Sequence, residues 1–168
     1  LVMSRDTGFN RQYGTNPYLR YDSNDPRRFL FRGELDERLP ATERVLAGII
    51  TGEAVAYPFS ILSELRVLHD TVGEQPVVAF WQPGVASALD VSRIDEGRDI
   101  GGAGLFARTL EDGRVLDFVI DESGQITDVQ TGSAWSILGE AVAGELMGTR
   151  LTRLAAAPHF WFAWAAFQ

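Results

Sequence analysis

The chain has no cysteine. That one absence removes disulfides, thiolate metal sites, cysteine nucleophiles and dithiol redox chemistry together. It does not select a compartment, because a domain of 168 residues buries enough surface to fold without disulfide staples, secreted or not. Lysine is absent too, so all 15 basic residues are arginine; we read this as coding bias or heat tolerance rather than function. A long hydrophobic run is also missing. The most apolar stretch, residues 154–167, is 14 residues long and contains Pro158 and His159, whereas a transmembrane helix needs about 20. The chain opens Leu1-Val2-Met3-Ser4-Arg5, with neither a signal peptide nor a lipidation motif. Because Met is not first, processing or truncation would account for a missing leader.

What is present describes a globular domain. Hydrophobic residues make up 45% and charged residues 23%, a balance that supports a packed core and argues against disorder. The net charge of −8 is unevenly placed: residues 1–45 hold eight arginines against seven acids, and the remainder holds seven against sixteen. A body carrying about −9 repels phosphate backbones, and Arg27-Arg28 is too short to form a nucleic-acid patch, so no nucleic-acid partner is expected.

Residues 4–28 are dense in turn formers, among them Asp6-Thr7-Gly8 and Asp22-Ser23-Asn24-Asp25-Pro26. Interleaved with them are Phe9, Tyr13, Tyr18, Tyr21, Phe29 and Phe31. Turn chemistry with this many aromatics predicts an irregular arm packed on the body rather than a free tail. The cluster Asp22 to Asp25 lacks the pattern of a calcium loop and reads as an Asx-turn.

From residue 45 the texture becomes β. Residues 45–50 and 54–57 read as strands around a Thr51-Gly52 turn, and Pro58 opens a short helix over 59–65 with Leu62, Leu65 and Val67 toward a core. Residues 66–69 and 76–81 read as strands around a turn at 70–73. Val77-Val78-Ala79-Phe80-Trp81 is a continuous apolar run and predicts a strand buried on both faces. Further strands are expected at 104–107, 115–120 and 126–129, with turns at Glu111-Asp112-Gly113, Glu122-Ser123-Gly124 and Thr131-Gly132-Ser133. Residues 158–167 read as a helix with Phe160, Trp164 and Phe167 on its core face. The expectation is one α+β domain over residues 1–168, an irregular arm at 1–44 and a β-rich body at 45–168. It is mainly antiparallel, as a curled sheet or barrel, with a few short helices.

Candidate chemistry is sparse. No Walker loop, dinucleotide fingerprint, zincin helix or nucleophile elbow is present, and no cofactor or metal site is expected. His69 and His159 are the only histidines. His69 precedes Asp70, and neighbours on a continuous strand point to opposite faces, so they form a dyad only in a turn. A triad of Ser87 or Ser133 with His69 and Asp128 can be written down, but a triad is defined by geometry. The weak catalytic candidates are therefore His69, Asp70, Ser87 and Asp128. Trp81 and Gln82 end the most buried strand beside a loop carrying Ser87, and these three are the best candidates to line a ligand pocket.

Six stretches together carry a resemblance: Ser4-Arg5-Asp6-Thr7-Gly8-Phe9, Gly52-Glu53-Ala54-Val55-Ala56-Tyr57-Pro58, His69-Asp70-Thr71-Val72-Gly73, residues 82–89, Thr131-Gly132-Ser133-Ala134-Trp135 and Gly139-Glu140-Ala141. In this order they resemble the bacterial and archaeal domain-of-unknown-function 3179 family (DUF3179) along nearly the whole chain. Members commonly look exported or lipid-anchored, which implies an extracytoplasmic place here. Many also carry a Cys-Pro-x-Cys motif where this chain has Gln82, Pro83, Gly84 and Val85, so it resembles a branch lacking both cysteines. The combined expectation is an exported, non-catalytic binding or assembly module with an unknown protein partner or homo-oligomer. The alternative is a thiol-independent, hydrolase-like enzyme using His69 near the end of strand 76–81.

Overall fold

A computed structural model describes residues 33–168 together with Gly8, Asn16, Tyr18, Leu19 and Tyr21. The Asp22 to Asp25 cluster, Arg27-Arg28 and the aromatics Phe9, Tyr13, Phe29 and Phe31 lie outside the described residues. The body is mainly antiparallel β, arranged as three sheets that do not close into a barrel.

The first sheet has the order β10-β1-β2, with β1 at Arg44–Ile50, β2 at Glu53–Pro58 and β10 at Ala156–Phe160. Thr51 and Gly52 join β1 to β2 with φ of 51° and 88°. Two successive positive φ values define the type I′ turn whose twist matches a two-residue hairpin. Pro58 then leads into α1 (Phe59–Leu65), where proline fixes φ without removing a needed donor. Arg66 caps this helix in the left-handed region, its N–H donating to the Leu62 carbonyl.

The second sheet, β3-β4-β5, comprises Val67–Val72, Gln75–Gln82 and Gly102–Ala107. Its central strand β4 explains the apolar run. Val77, Ala79 and Trp81 face a core shared with Leu46, Tyr57, Phe59 and Leu62, whereas Val78 and Phe80 face Phe118, Ile126 and Trp135. A strand with a layer packed on each face has no solvent side, so alternation disappears from its sequence.

The third sheet, β6-β7-β8-β9, is built from Phe118–Ile120, Ile126–Asp128, Ala134–Trp135 and Ala141–Ala143. Its inner residues Phe118, Ile126, Trp135 and Ala141 close the second core. The segment after it stitches the layers together. Thr152 accepts from Ala107 N–H and Leu154 N–H donates to Leu105, after which β10 pairs with β1.

Three expectations change. The C-terminal apolar segment is not one helix: Ala156–Phe160 is a strand, and α2 covers only Trp161–Ala165. The edge of β1 takes β10 as its partner, and Pro158 is tolerated there because β10 is itself an edge strand. Trp161, 6% exposed, is the buried anchor, while Phe167 is 87% exposed. The turn expected at 70–73 lies later, because β3 runs through Val72 and Gly73 (φ 60°) makes the reversal. Leu65, assigned to the core, is 53% exposed.

Phe106 is confined by two glycines. A Cβ at Gly104 would lie 2.9 Å from its ring and one at Gly139 would lie 2.6 Å away. Gly139 also has φ of 74°, whereas Gly132 has φ of 69° with nothing within 4 Å of a Cβ there. Gly132→Ala should therefore cost only the left-handed penalty, about 1–2 kcal/mol. Gly139→Ala should add overpacking and cost about 2–4 kcal/mol in total. Urea denaturation of the two variants checks the difference, and equal losses would disprove the steric account of Phe106.

Candidate functional site

The loop that leaves β4 is organised by one carboxylate. Asp99 accepts from the N–H groups of Gly84 (2.8 Å), Val85 (3.1 Å) and Gly101 (2.8 Å). These backbone donors, Gly101 foremost, hold its pKa below the usual carboxylate range. Ile100 N–H donates to Val85 and Ser87 N–H to Arg98, so the two limbs of the loop zip together. Ser87 is fully buried beneath them. Its Oγ accepts from Leu89 N–H at 3.2 Å and lies 3.5 Å from an Arg44 guanidinium nitrogen.

Trp81 lies under Gly101, where any Cβ would collide with the indole. Its Nε1 is buried without an acceptor among the described residues. Gln82 is exposed at the strand end. Thus Trp81 and Gln82 flank the loop as expected from the sequence, while the Ser87 hydroxyl is committed to Leu89 and Arg44.

His69 and Asp70 both lie within β3, and their side chains go to different partners. The Tyr57 hydroxyl donates to Asp70 Oδ2 at 2.9 Å, and burial followed by this bond raises the tyrosine pKa. On the other side, His69 Nε2 accepts from Phe118 N–H at 2.9 Å, which fixes the neutral tautomer as Nδ1–H. The His69 and Phe118 rings stack at 6.3 Å. Partial burial and the Arg108 guanidinium lower the His69 pKa, opposed by Asp117. His159 is in the first sheet, opposite Val45 and against Trp164 at 5.5 Å. Among the described residues, no three His, Asp or Glu side chains gather as a metal site.

Asp128 has the densest set of contacts. It is 2% exposed. Oδ1 accepts from Thr131 N–H (2.6 Å) and Thr131 Oγ1 (2.9 Å). Oδ2 accepts from Trp135 Nε1–H (3.0 Å) and Ser133 N–H (3.2 Å). With the Thr131 hydroxyl proton spent on the carboxylate, the Ser133 hydroxyl donates to Thr131 Oγ1 across 2.7 Å and accepts from Leu146 N–H at 3.0 Å. Sequence reasoning saw a turn at 131–133 and possible triad members in Ser133 and Asp128, not a network joining them. An Asp followed by Thr at i+3 and Ser at i+5 is the available signal for a carboxylate that folds its own loop. None of His69, Asp70, Ser87 and Asp128 is hydrogen-bonded to another of the four.

Fold and site together define a mainly antiparallel β domain whose most connected polar cluster holds the third sheet in shape. The chain belongs to the family described as "Protein of unknown function (DUF3179)", whose model matches residues 1–168, its full length. No curated protein and no solved structure matches it.

Two predictions follow from this geometry. Asp128→Asn keeps the shape but replaces one acceptor oxygen by an NH2 group facing existing donors. It should cost about 2–4 kcal/mol in chemical denaturation, and a loss under about 1 kcal/mol would show that the network is not structural. The second concerns acid. His69 has a folded pKa below its unfolded value, so between the two the unfolded chain binds more protons. Its contribution to stability is complete above about pH 6.5 and is lost as pH falls through the folded pKa. Denaturation midpoints from pH 7.5 to 5 should fall more steeply for the wild type than for His69→Gln, and parallel curves would exclude this role.

Proposed function

We propose that this chain is an exported binding or assembly module with no catalytic role of its own, working as one unit in which the arm at 1–44 lies on the body at 45–168. The observation that carries the reading is that each candidate catalytic side chain is already engaged by the fold. His69 Nε2 holds Phe118 N–H, Asp70 holds the Tyr57 hydroxyl, Ser87 Oγ holds Leu89 N–H, and Asp128 holds Thr131, Ser133 and Trp135. A general base needs a lone pair within reach of substrate, and the Nε2 lone pair of His69 is spent.

The outward side of the third sheet supports a binding role. Val119 and Val142 stand on it, 46% and 48% exposed, on the face opposite Phe118, Ile126 and Trp135. Exposed apolar sheet faces commonly serve protein contacts. The arm is tied down at two described points: Asn16 N–H donates to Ser92, and Tyr21 N–H to Leu89. An extracytoplasmic location is part of this reading and rests on the family resemblance. No helix among the described residues is long and apolar enough to cross a membrane.

The second reading, a thiol-independent hydrolase-like enzyme using His69 with a pocket at the end of β4, has one observation in its favour. Trp81 Nε1 is a buried donor without an acceptor among the described residues, as expected where a ligand oxygen belongs. To separate the two, wild type and His69→Gln are assayed side by side against ester, amide and phosphoester substrates. Native mass spectrometry is run on protein isolated from its own source. The module reading expects no turnover from either form and a stoichiometric partner subunit in the spectrum. Turnover by the wild type that vanishes in His69→Gln would overturn it.

A further inference from the structure

Arg66 is held in a costly backbone state. Its φ is 61°, in the left-handed region that costs a bulky side chain roughly 1–2 kcal/mol. Besides Thr51, which the β1–β2 turn explains, it is the one non-glycine described residue with positive φ. Helices often end in this conformation, but the residue chosen is usually Gly or Asn.

Its side chain adds a second observation, one that Arg108 shares at Nε. Nε is buried with no hydrogen-bond partner among the described residues. The half-buried guanidinium has no ion pair there either, although the chain carries 23 carboxylates. The salt-bridged arginines, by contrast, sit beside an acid: Arg38 by Asp36, Arg93 by Asp95, Arg108 by Asp117, Arg114 by Asp112 and Arg150 by Glu140. The Arg66 head lies against the tip of the β6–β7 hairpin, with Nη1 3.3 Å from where a Gly124 Cβ would stand. Of the hairpin's two carboxylates, Asp121 and Glu122, the first is committed to Ser123 and Gln125.

A partly desolvated cation without a counter-ion is unfavourable. Strain kept at a residue whose side chain forms no hydrogen bond or ion pair among the described residues is a pattern of functional positions. We propose that Arg66 is an oxyanion receptor, taking a carboxylate or phosphate group of a ligand on its outer guanidinium edge between the end of α1 and the β6–β7 hairpin. The planar fork matches both anions. Arg66 also accepts Trp81 N–H through its carbonyl at 2.9 Å, so the receptor shares a rung with the last buried residue of β4. The assignment deepens the binding-module reading without requiring it, because a ligand bound at Arg66 and then turned over would retire that reading and leave this one standing.

The test titrates inorganic phosphate and, separately, acetate into the 15N-labelled chain at constant ionic strength, following the Arg66 Nε–H and the Gly124 amide. Saturable shifts at both are expected for at least one anion, and the anion that saturates tells a phosphate group from a carboxylate. Arg66→Gly and Arg66→Asn, which both tolerate the left-handed backbone, should abolish saturation while leaving the melting temperature equal or higher. Arg66→Lys should weaken binding on the order of tenfold, because the fork is lost while the charge stays. Linear, unsaturable shifts for both anions would overturn the proposal. So would saturation that persists in Arg66→Gly, or a fall in melting temperature in both Arg66→Gly and Arg66→Asn, which would make the side chain structural.

Discussion

The third sheet depends on one buried carboxylate. Asp128 is buried beside a core that includes Phe80, Phe106, Phe118 and Trp135, where an uncompensated charge would cost several kcal/mol. It is tolerated because its donors come from Thr131, Ser133 and Trp135 within the next seven residues. The same bonds fix the turn that reverses β7 into β8. They also set the indole of Trp135, whose ring meets Phe118 edge-on at 5.4 Å. Phe118 in turn meets Phe80 at 5.1 Å and presents its backbone N–H to His69. A single charge therefore orders a path from the outer sheet to the central one, and the serine that looked like a nucleophile is a rung in it. Ser133 passes the network on to Leu146 N–H, which anchors the segment after β9.

The second sheet supplies the complementary constraint. Both faces of its central strand β4 are covered, so that strand carries no polar alternation and packing alone decides what fits. Phe106 shows how tight that is, since a Cβ at either Gly104 or Gly139 would run into its ring. Gly144 is held the same way, because a Cβ there would lie 2.7 Å from Ser133 Oγ. Apolar packing and the Asp128 network are thus one structure: the glycines let the chain approach closely enough for the hydrogen bonds to form.

Much of this fold was legible because its signals are local. The Thr51-Gly52 turn, the start of α1 at Pro58 and the buried run 77–81 follow from turn chemistry and pattern at short range. The C-terminal segment was misread because a short apolar run has no periodicity that separates helix from strand. What decided it was a partner more than a hundred residues away, the free edge of β1. Leu65 was misplaced for a related reason: the left-handed turn at Arg66 rotates the chain before β3 begins, and no pattern in the sequence announces it. The site was less legible than the fold. Sequence inspection lists His69, Asp70, Ser87 and Asp128, but their roles depend on which face each strand presents, and β3 continues two residues beyond Asp70 and thereby separates the first pair.

The loop after β4 bears on what the absent cysteines mean. The family resemblance implies two thiols at this position in many members, and a loop whose form required them would not survive with Gln82 and Val85 in their place. Here that form is carried by Asp99, which gathers the N–H groups of Gly84, Val85 and Gly101 and is neither close to the missing thiols in sequence nor dependent on their chemistry. Gly101 serves twice, as a donor to that carboxylate and as the one residue type that fits over the Trp81 indole. Backbone donors around a carboxylate are indifferent to redox state, so the conformation of this segment does not depend on side-chain chemistry at 82 and 85. Those two positions are exposed, so a chain without cysteines there is compatible with the same loop.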